Sequence, residues 1–232
     1  MFSILCAADR RDLSSMLFEK IKKDLDLGRQ VVLVVPAQSS LSLEKEALKV
    51  LGTEGFFNLH IIRGQKLAET IQSETRRLDK TPINTIGRSM LLRSIAAKNK
   101  ENLNSFKDIA EDPEFLNLAG DFIVQLKQNL EDESTIDKLI QSAKSPILKG
   151  KLADMKVLLS EYQLLMQGKL TDSEDLVLHT AAMAKESTFV KESAIYYYGF
   201  YSFTSRELEL LASIESSAKE LNVALLLGED YL

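Results

Sequence analysis

The 232-residue sequence is poor in the residues that most simply announce chemistry. It has one cysteine, Cys6, and two histidines, His60 and His179. One thiol cannot form an internal disulfide, and three soft ligands so far apart match no zinc-binding spacing. Such sparing use of cysteine fits a reducing compartment. Long apolar runs are missing too. The stretch 31–35 is far too short to span a bilayer, and residues 1–11 lack the basic start and small-residue cleavage site of a secretory signal. A cytoplasmic location without membrane contact is expected. Nor is there an excess of positive charge: 29 Lys plus Arg stand against 34 Asp plus Glu, a net charge of −5. A strongly basic, freestanding nucleic-acid binder is excluded, and any contact with DNA or RNA falls to a local patch or a larger complex. No internal repeat, low-complexity tract or Pro/Gly/Ser-rich linker is present. What remains is an ordinary globular composition, 45% hydrophobic and 27% charged, long enough for one large domain or two small ones.

The pattern of apolar residues changes twice along the chain. Residues 2–7 read as a short buried strand, followed by Leu13, Met16, Ile21 and Leu25 at helical spacing and a stop at Gly28. Four valines and a leucine between Gln30 and Pro36 make the clearest strand, apolar on both faces as in a parallel sheet. Ser40 or Ser42 can cap a helix to about Leu51, residues 56–62 read as a third strand and 65–77 as a third helix. From 84 to 185 only helices are expected. Asp112-Pro113 is a start signal, and Phe115, Leu118, Phe122, Leu126 and Leu130 form an apolar stripe. Ser134-Thr135-Ile136-Asp137 has the form of a capping box. Leu148, Leu152, Met155, Leu159, Tyr162 and Met166 mark a bundle helix, and Asp172 starts another. Strand signals return at 194–198 and 223–227, with a capping box at Thr204-Ser205-Arg206-Glu207 between them. The expected fold is an α/β layer with a parallel sheet, residues 1–83 and 186–232, interrupted by a large all-helical insertion, 84–185.

In nucleotide-binding α/β proteins the turn after the first strand is a glycine-rich loop, with a lysine for the outer phosphates and a hydroxyl for magnesium. Here that region runs Cys6-Ala7-Ala8-Asp9-Arg10-Arg11-Asp12-Leu13, with no glycine and no lysine. Asp12 falls where the lysine belongs and would repel a triphosphate. The acid that holds magnesium at the end of a later strand is replaced by Tyr198. This is a nucleotide-binding architecture without its catalytic parts. Cys6 reads as a small strand residue, His60 and His179 have no partner, and Glu131-Asp132-Glu133 reads as a solvated helix end. No catalytic or metal-binding motif is found.

The loops after the strands carry a different chemistry. Gln38, Ser39 and Ser40 follow the second strand, Arg63, Gly64, Gln65 and Lys66 the third, and Gly199, Phe200 and Phe203 the next. Amides and hydroxyls can read base edges, cations can hold phosphates and rings can stack, a set suited to single-stranded nucleic acid. Plain loop and cap chemistry, with Phe200 and Phe203 as core packing, accounts for the same residues.

Four segments, in order and covering nearly the whole chain, resemble one family. Residues 31–47 (VVLVVPAQSSLSLEKEA) resemble the strand, Pro-x-Gln turn and helix of AddB-type proteins. Ile86-Gly87-Arg88-Ser89-Met90-Leu91-Leu92-Arg93 resembles that family's Gly-Arg-x-Met-Leu-Leu-Arg helix, and Asp172-Ser173-Glu174-Asp175-Leu176 its Asp-x-x-Asp-Leu element. Tyr198-Gly199-Phe200-Tyr201-Ser202-Phe203-Thr204 is similar to its Asp-Gly-Phe-x-x-Phe-Thr segment with the leading Asp replaced. The lost phosphate loop is closest to the RexB branch. The resemblance implies an N-terminal fragment of the B subunit of a heterodimeric ATP-dependent helicase–nuclease that processes double-strand breaks for homologous recombination. It implies a RecA-like fold of the superfamily 1 helicase type, an AddA/RexA-type partner that carries the motor, and single-stranded DNA near a duplex end as ligand. No cofactor is implied for this segment; an iron–sulfur cluster and magnesium belong to a nuclease region downstream. By position, Gln38, Ser40, Arg63, Lys66, Phe200 and Phe203 are the DNA-binding candidates. Gly64 and Glu69 stand where the family often places aromatics, so stacking is lost there. Three roles stay open: a DNA-channel module, a scaffold that docks the A subunit, and an NTPase with an atypical loop.

Overall fold

The alternation of strand and helix begins at the first residues. Phe2–Ala7 forms β1, and Arg10–Asp26 forms α1, which Gly28 ends with a positive φ of 70°. The valine run Gln30–Val35 is β2, Ser40–Leu51 is α2, Leu59–Arg63 is β3 and Gly64–Thr75 is α3. Then come β4 (Thr81–Pro82), α4 (Thr85–Lys98), α5 (Pro113–Gln128), α6 (Glu133–Ser142), α7 (Pro146–Met166), β5 (Leu170–Thr171) and α8 (Ser173–Ala184). The chain continues through α9 (Thr188–Glu192), β6 (Ser193–Tyr198), α10 (Ser205–Glu215) and β7 (Glu220–Leu226). This computed structural model describes residues 1–36, 38, 40–52, 55, 57–75 and 80–227, with Ser40 described by its backbone alone. The described residues form two units, one from 1–75, 178–203 and 207–227, the other from 80–177 and 204–206.

The first unit is a five-stranded, wholly parallel sheet in the order β1-β7-β6-β2-β3. β2 lies between β6 and β3 with every residue from Val31 to Val35 buried, which is why its sequence is apolar on both faces. Val31, Leu33, Val35, Tyr196 and Tyr198 face α1 and α2, packing on Leu13, Leu17, Phe18, Ile21, Leu43 and Ala47. Tyr196 keeps its hydroxyl satisfied in this core by donating to Asp24 Oδ2 at 2.6 Å, and Arg29 pairs with the same carboxylate at 2.7 Å. The third strand starts at Leu59 rather than at 56: Phe57 is fully exposed, and residue 56 is outside the described set. The third helix begins one residue early, at Gly64, and its expected end at 76–77 also falls outside the described residues.

In the second unit α4, α5, α6 and α7 surround a core of Leu92, Ile95, Leu116, Ile123, Ile136, Leu158, Leu159 and Tyr162. Asp112 caps α5 ahead of Pro113, as the sequence predicts. The buried face of α5 is rotated from the expected stripe. Leu118 is 69% exposed, and Leu130 lies beyond the helix with a positive φ of 58°. Leu116, Ala119 and Ile123 take the core positions beside Phe115 and Leu126. The capping box at Ser134 is corrected too: Asp132 is the cap and accepts from the Ser134 N–H. The region expected to be purely helical also contains one two-residue parallel ladder, β4 with β5.

One carboxylate organises the turn between α4 and α5. Asp154 on α7, almost wholly buried, accepts from the backbone N–H groups of Asn104, Ser105 and Phe106 at 2.7–3.1 Å. Asp154→Ala leaves these donors without their charged acceptor, at about 3 kcal/mol in total, since bonds to charged groups count for about 1.5–3 kcal/mol each and do not add fully. The expected result is a clear drop in the urea midpoint, with a smaller drop for Asp154→Asn, which keeps one acceptor oxygen.

Candidate functional site at the carboxyl ends of the strands

The winding of the sheet creates a crevice. From β1 to β2 and on to β3 the chain moves one way across the sheet, with α1 and α2 on one face. From β3 to β6 to β7 it moves back, and right-handed crossovers place α3, α9 and α10 on the other face. The direction reverses between β2 and β6. Connections leaving two neighbouring strands on opposite faces part their carboxyl ends, and ligands bind there.

At that point lies a cavity of about 430 Å³ whose wall includes Arg10, Pro36, Gln38, Glu46, Phe200 and Tyr201. Gly199, which turns the chain out of β6, has φ +85°, and a Cβ there would meet Pro36 Cδ at 3.4 Å. Arg10 Nη2 donates to the Tyr201 hydroxyl at 2.8 Å, and Ser14 Oγ donates to Glu46 Oε1 at 2.5 Å. Tyr198 also lines the crevice, and burial together with the Glu46 carboxylate pushes its phenol above the ordinary tyrosine range. It therefore stays neutral beside the Glu46 carboxylate.

The turn from β1 into α1 is short and self-capped. Cys6, at the start of the segment compared with a phosphate loop, lies in β1 as its reading as a strand residue predicts, and only Ala8 and Asp9 connect β1 to α1. Two residues cannot encircle a phosphate. Asp9 Oδ1 accepts from the N–H groups of Arg11 and Asp12 at 2.7 and 2.9 Å. Those amides hold the Asp9 carboxyl below its usual range. The helix N-terminus that would attract a phosphate already carries a carboxylate from its own chain. Asp12 stands exposed in the first turn, as the sequence places it.

The residues singled out from the sequence are distributed unevenly. Gln38 is exposed in the turn after β2 and lines the crevice. Ser40 begins α2, but its side chain, like residue 39, lies outside the described set. Phe200 lines the crevice while stacking on Phe203 (centroids 5.4 Å apart, 26° between planes), and both touch Tyr197, at 5.7 and 6.1 Å. Phe203 is not part of the crevice wall. Arg63 closes β3, and Lys66 opens α3, exposed and 3.5 Å from Glu69. Neither lines the crevice, although both sit at the same carboxyl end of the sheet. Sequence reasoning misses Arg10, Glu46 and Tyr201. Tyr201 is the most exposed ring here, at 81%, and its place in the aromatic segment 196–203 is the available signal. Arg10 and Glu46 give none, because they meet the other residues only through packing of α1 and α2.

These features define a class: an open parallel α/β sheet with a crevice at its switch point and a helical unit inserted in the chain between the third and sixth strands. The family model described as "ADDB, N-terminal" matches residues 10–232, and the chain belongs to that family. Among its relatives is the B subunit of the ATP-dependent helicase/deoxyribonuclease of Clostridium kluyveri, 28% identical over 197 residues, which covers 85% of this chain and 17% of that protein. The corresponding protein of Heliobacterium modesticaldum is 26% identical over 209 residues, covering 88% and 17%. That of Alkaliphilus oremlandii is 26% identical over 218 residues, covering 92% and 19%. The chain thus spans less than a fifth of the length of these relatives. Among the described residues no helix is long and apolar enough to cross a membrane.

Proposed function

We propose that this chain is the DNA-guiding head of the B subunit of an ATP-dependent helicase/deoxyribonuclease, acting in double-strand-break repair by homologous recombination. Its sheet is read as a RecA-like motor domain of the superfamily 1 type that does not hydrolyse ATP. The observation that carries this reading is the Asp9 carboxylate seated on the first amides of α1, after a connection of only two residues. The crevice beside it stays open and is lined by an amide, a guanidinium, aromatic rings and the Glu46 carboxylate, which bonds to Ser14. That set suits an unstacked base and a backbone phosphate better than a triphosphate. The partner is an A subunit of the AddA/RexA type, which supplies the motor. Nuclease chemistry, with magnesium and an iron–sulfur cluster, is assigned outside this chain. The chain's single cysteine cannot supply the several thiolates that hold an iron–sulfur cluster.

Thermal unfolding tests the proposal. Millimolar ATP–magnesium is expected to leave the melting temperature unchanged, whereas a single-stranded oligonucleotide raises it, and less so as salt is added. Stabilisation by the nucleotide would overturn the proposal. A second reading, a scaffold that docks the A subunit, is favoured by Ile86 and Met90, two large apolar side chains exposed one turn apart on α4. A chain that co-purifies with its partner yet has no affinity for DNA would select it.

A further inference from the structure

Four surface lysines of the helical unit are neutralised by carboxylates. Lys98, Lys100, Lys107 and Lys156 lie 2.6–3.6 Å from Glu161, Glu111, Glu101 and Asp137. The turn from α6 into α7 is different. Residues 138–153 carry four lysines and no acid, in a chain whose net charge is −5. Lys144, Lys149 and Lys151 are exposed, and none has a carboxylate within ion-pair distance among the described residues.

An apolar surface lies among these ammonium groups. Leu148 begins the stripe that continues through Leu152, Met155, Leu159 and Tyr162 at spacings of four and three. Met155, Leu159 and Tyr162 are buried, whereas Leu148 is 46% and Ile147 71% exposed. The first turn of α7 thus overhangs the bundle with the start of its stripe bare. Residues three and four apart share a helix face, which sets Ile147 and Leu148 beside Lys151. The Lys151 ammonium lies 5.9 Å from the centroid of the Phe106 ring. Phe106 closes the loop whose backbone N–H groups Asp154 holds. Gly150 admits that loop, since a Cβ there would stand 2.6 Å from Ser105 Oγ. The surface is therefore ordered before any partner arrives.

We infer that this end of the α6–α7 hairpin docks an acidic amphipathic helix of a partner protein. The apolar side chains of that helix extend the α7 stripe over Ile147 and Leu148, and its carboxylates meet Lys144, Lys149 and Lys151. Charge alone would serve phosphate groups equally well. The two bare aliphatic side chains inside the basic ring decide for a peptide, because a nucleic-acid backbone offers them nothing apolar to pack on. A helix that lies on a membrane needs a longer apolar face than the two residues bared here.

Fluorescence anisotropy on the whole polypeptide tests the inference, with a synthetic helix bearing leucines on one face and glutamates on the other as the probe. Lys144→Glu/Lys149→Glu and Ile147→Ser each weaken binding by about 10-fold or more. The melting temperature stays the same in both variants, because the three side chains are exposed. The same helix with lysines in place of its glutamates binds the Lys144→Glu/Lys149→Glu variant and not the wild type. Equal affinity of the glutamate probe for wild type and both variants overturns the inference, as does a complete lack of binding. Displacement of the probe by duplex DNA or by phosphatidylserine vesicles also overturns it, and assigns the surface to that ligand.

Discussion

Lys127→Met is expected to destabilise the helical unit by about 3–5 kcal/mol, the usual cost of removing one partner from a buried ion pair. Lys127 is 4% exposed, and its ammonium lies 2.5 Å from Asp172 Oδ2 and 2.8 Å from Asp175 Oδ2. Tyr162 donates to the same Asp172 oxygen at 2.9 Å, Arg206 pairs with Asp175 at 3.2 Å, and Arg206 Nε donates to the Lys127 carbonyl. With the ammonium gone, Asp172 would be a carboxylate 2% exposed, without its principal counter-charge. Burial raises the Asp172 pKa and Lys127 lowers it, and the net effect is below the ordinary value. A folded pKa below the unfolded one contributes stability that is complete above the unfolded value, near 4, and is lost as pH falls through the folded one. The gap between wild type and Lys127→Met, measured by urea unfolding, is therefore widest at neutral pH and narrows toward acid, where Asp172 can take a proton. The double variant Lys127→Met/Asp172→Leu recovers part of the loss, because the unpaired charge goes with its partner.

Tyr201→Ala is expected to weaken binding of an oligothymidylate by about 10–100-fold, the effect of losing one base-stacking ring. The ring is exposed at the crevice mouth and is fixed there by Arg10, so its loss costs the fold little. Phe200→Ala weakens binding as well, but it also opens the cluster with Tyr197 and Phe203 and lowers the melting temperature. Lys66→Ala acts through charge: the slope of log affinity against log salt falls by about one, with no preference for base. Titrations at several salt concentrations separate the three. Unchanged affinity in both aromatic variants would remove the crevice from the path of the DNA.

Signals in the sequence are legible where local chemistry decides the outcome. The valine run from 31 to 35, the Asp112-Pro113 start and the Gly28 stop each act within a few residues, and each stands where expected. The stripe on α5 differs because Leu118 is as apolar as Leu116, and only the position of α4 and α7 decides which one is buried. The site divides in the same way. Gln38 and Phe200 are visible because they follow strands directly. Glu46 lies well into α2 and Arg10 opens α1; both reach the crevice through the packing of helices on the sheet, which no spacing in the sequence encodes. The lack of glycine and lysine after the first strand is visible in the sequence. The carboxylate that caps α1 depends also on how few residues join β1 to α1.

The pairing of β1 with β7 also sets a timetable for biosynthesis. Ser3 and Asn222 lie side by side but 219 residues apart in sequence. At about 5–20 residues per second, β1 waits roughly 10–40 s for its neighbour once it has left the ribosome. The helical unit, built almost entirely from one continuous stretch, has no such delay and can close while β1, β2 and β3 are still without β6 and β7. During that interval the valine run of β2, apolar on both faces and without its β6 neighbour, is a segment that a holding chaperone would protect.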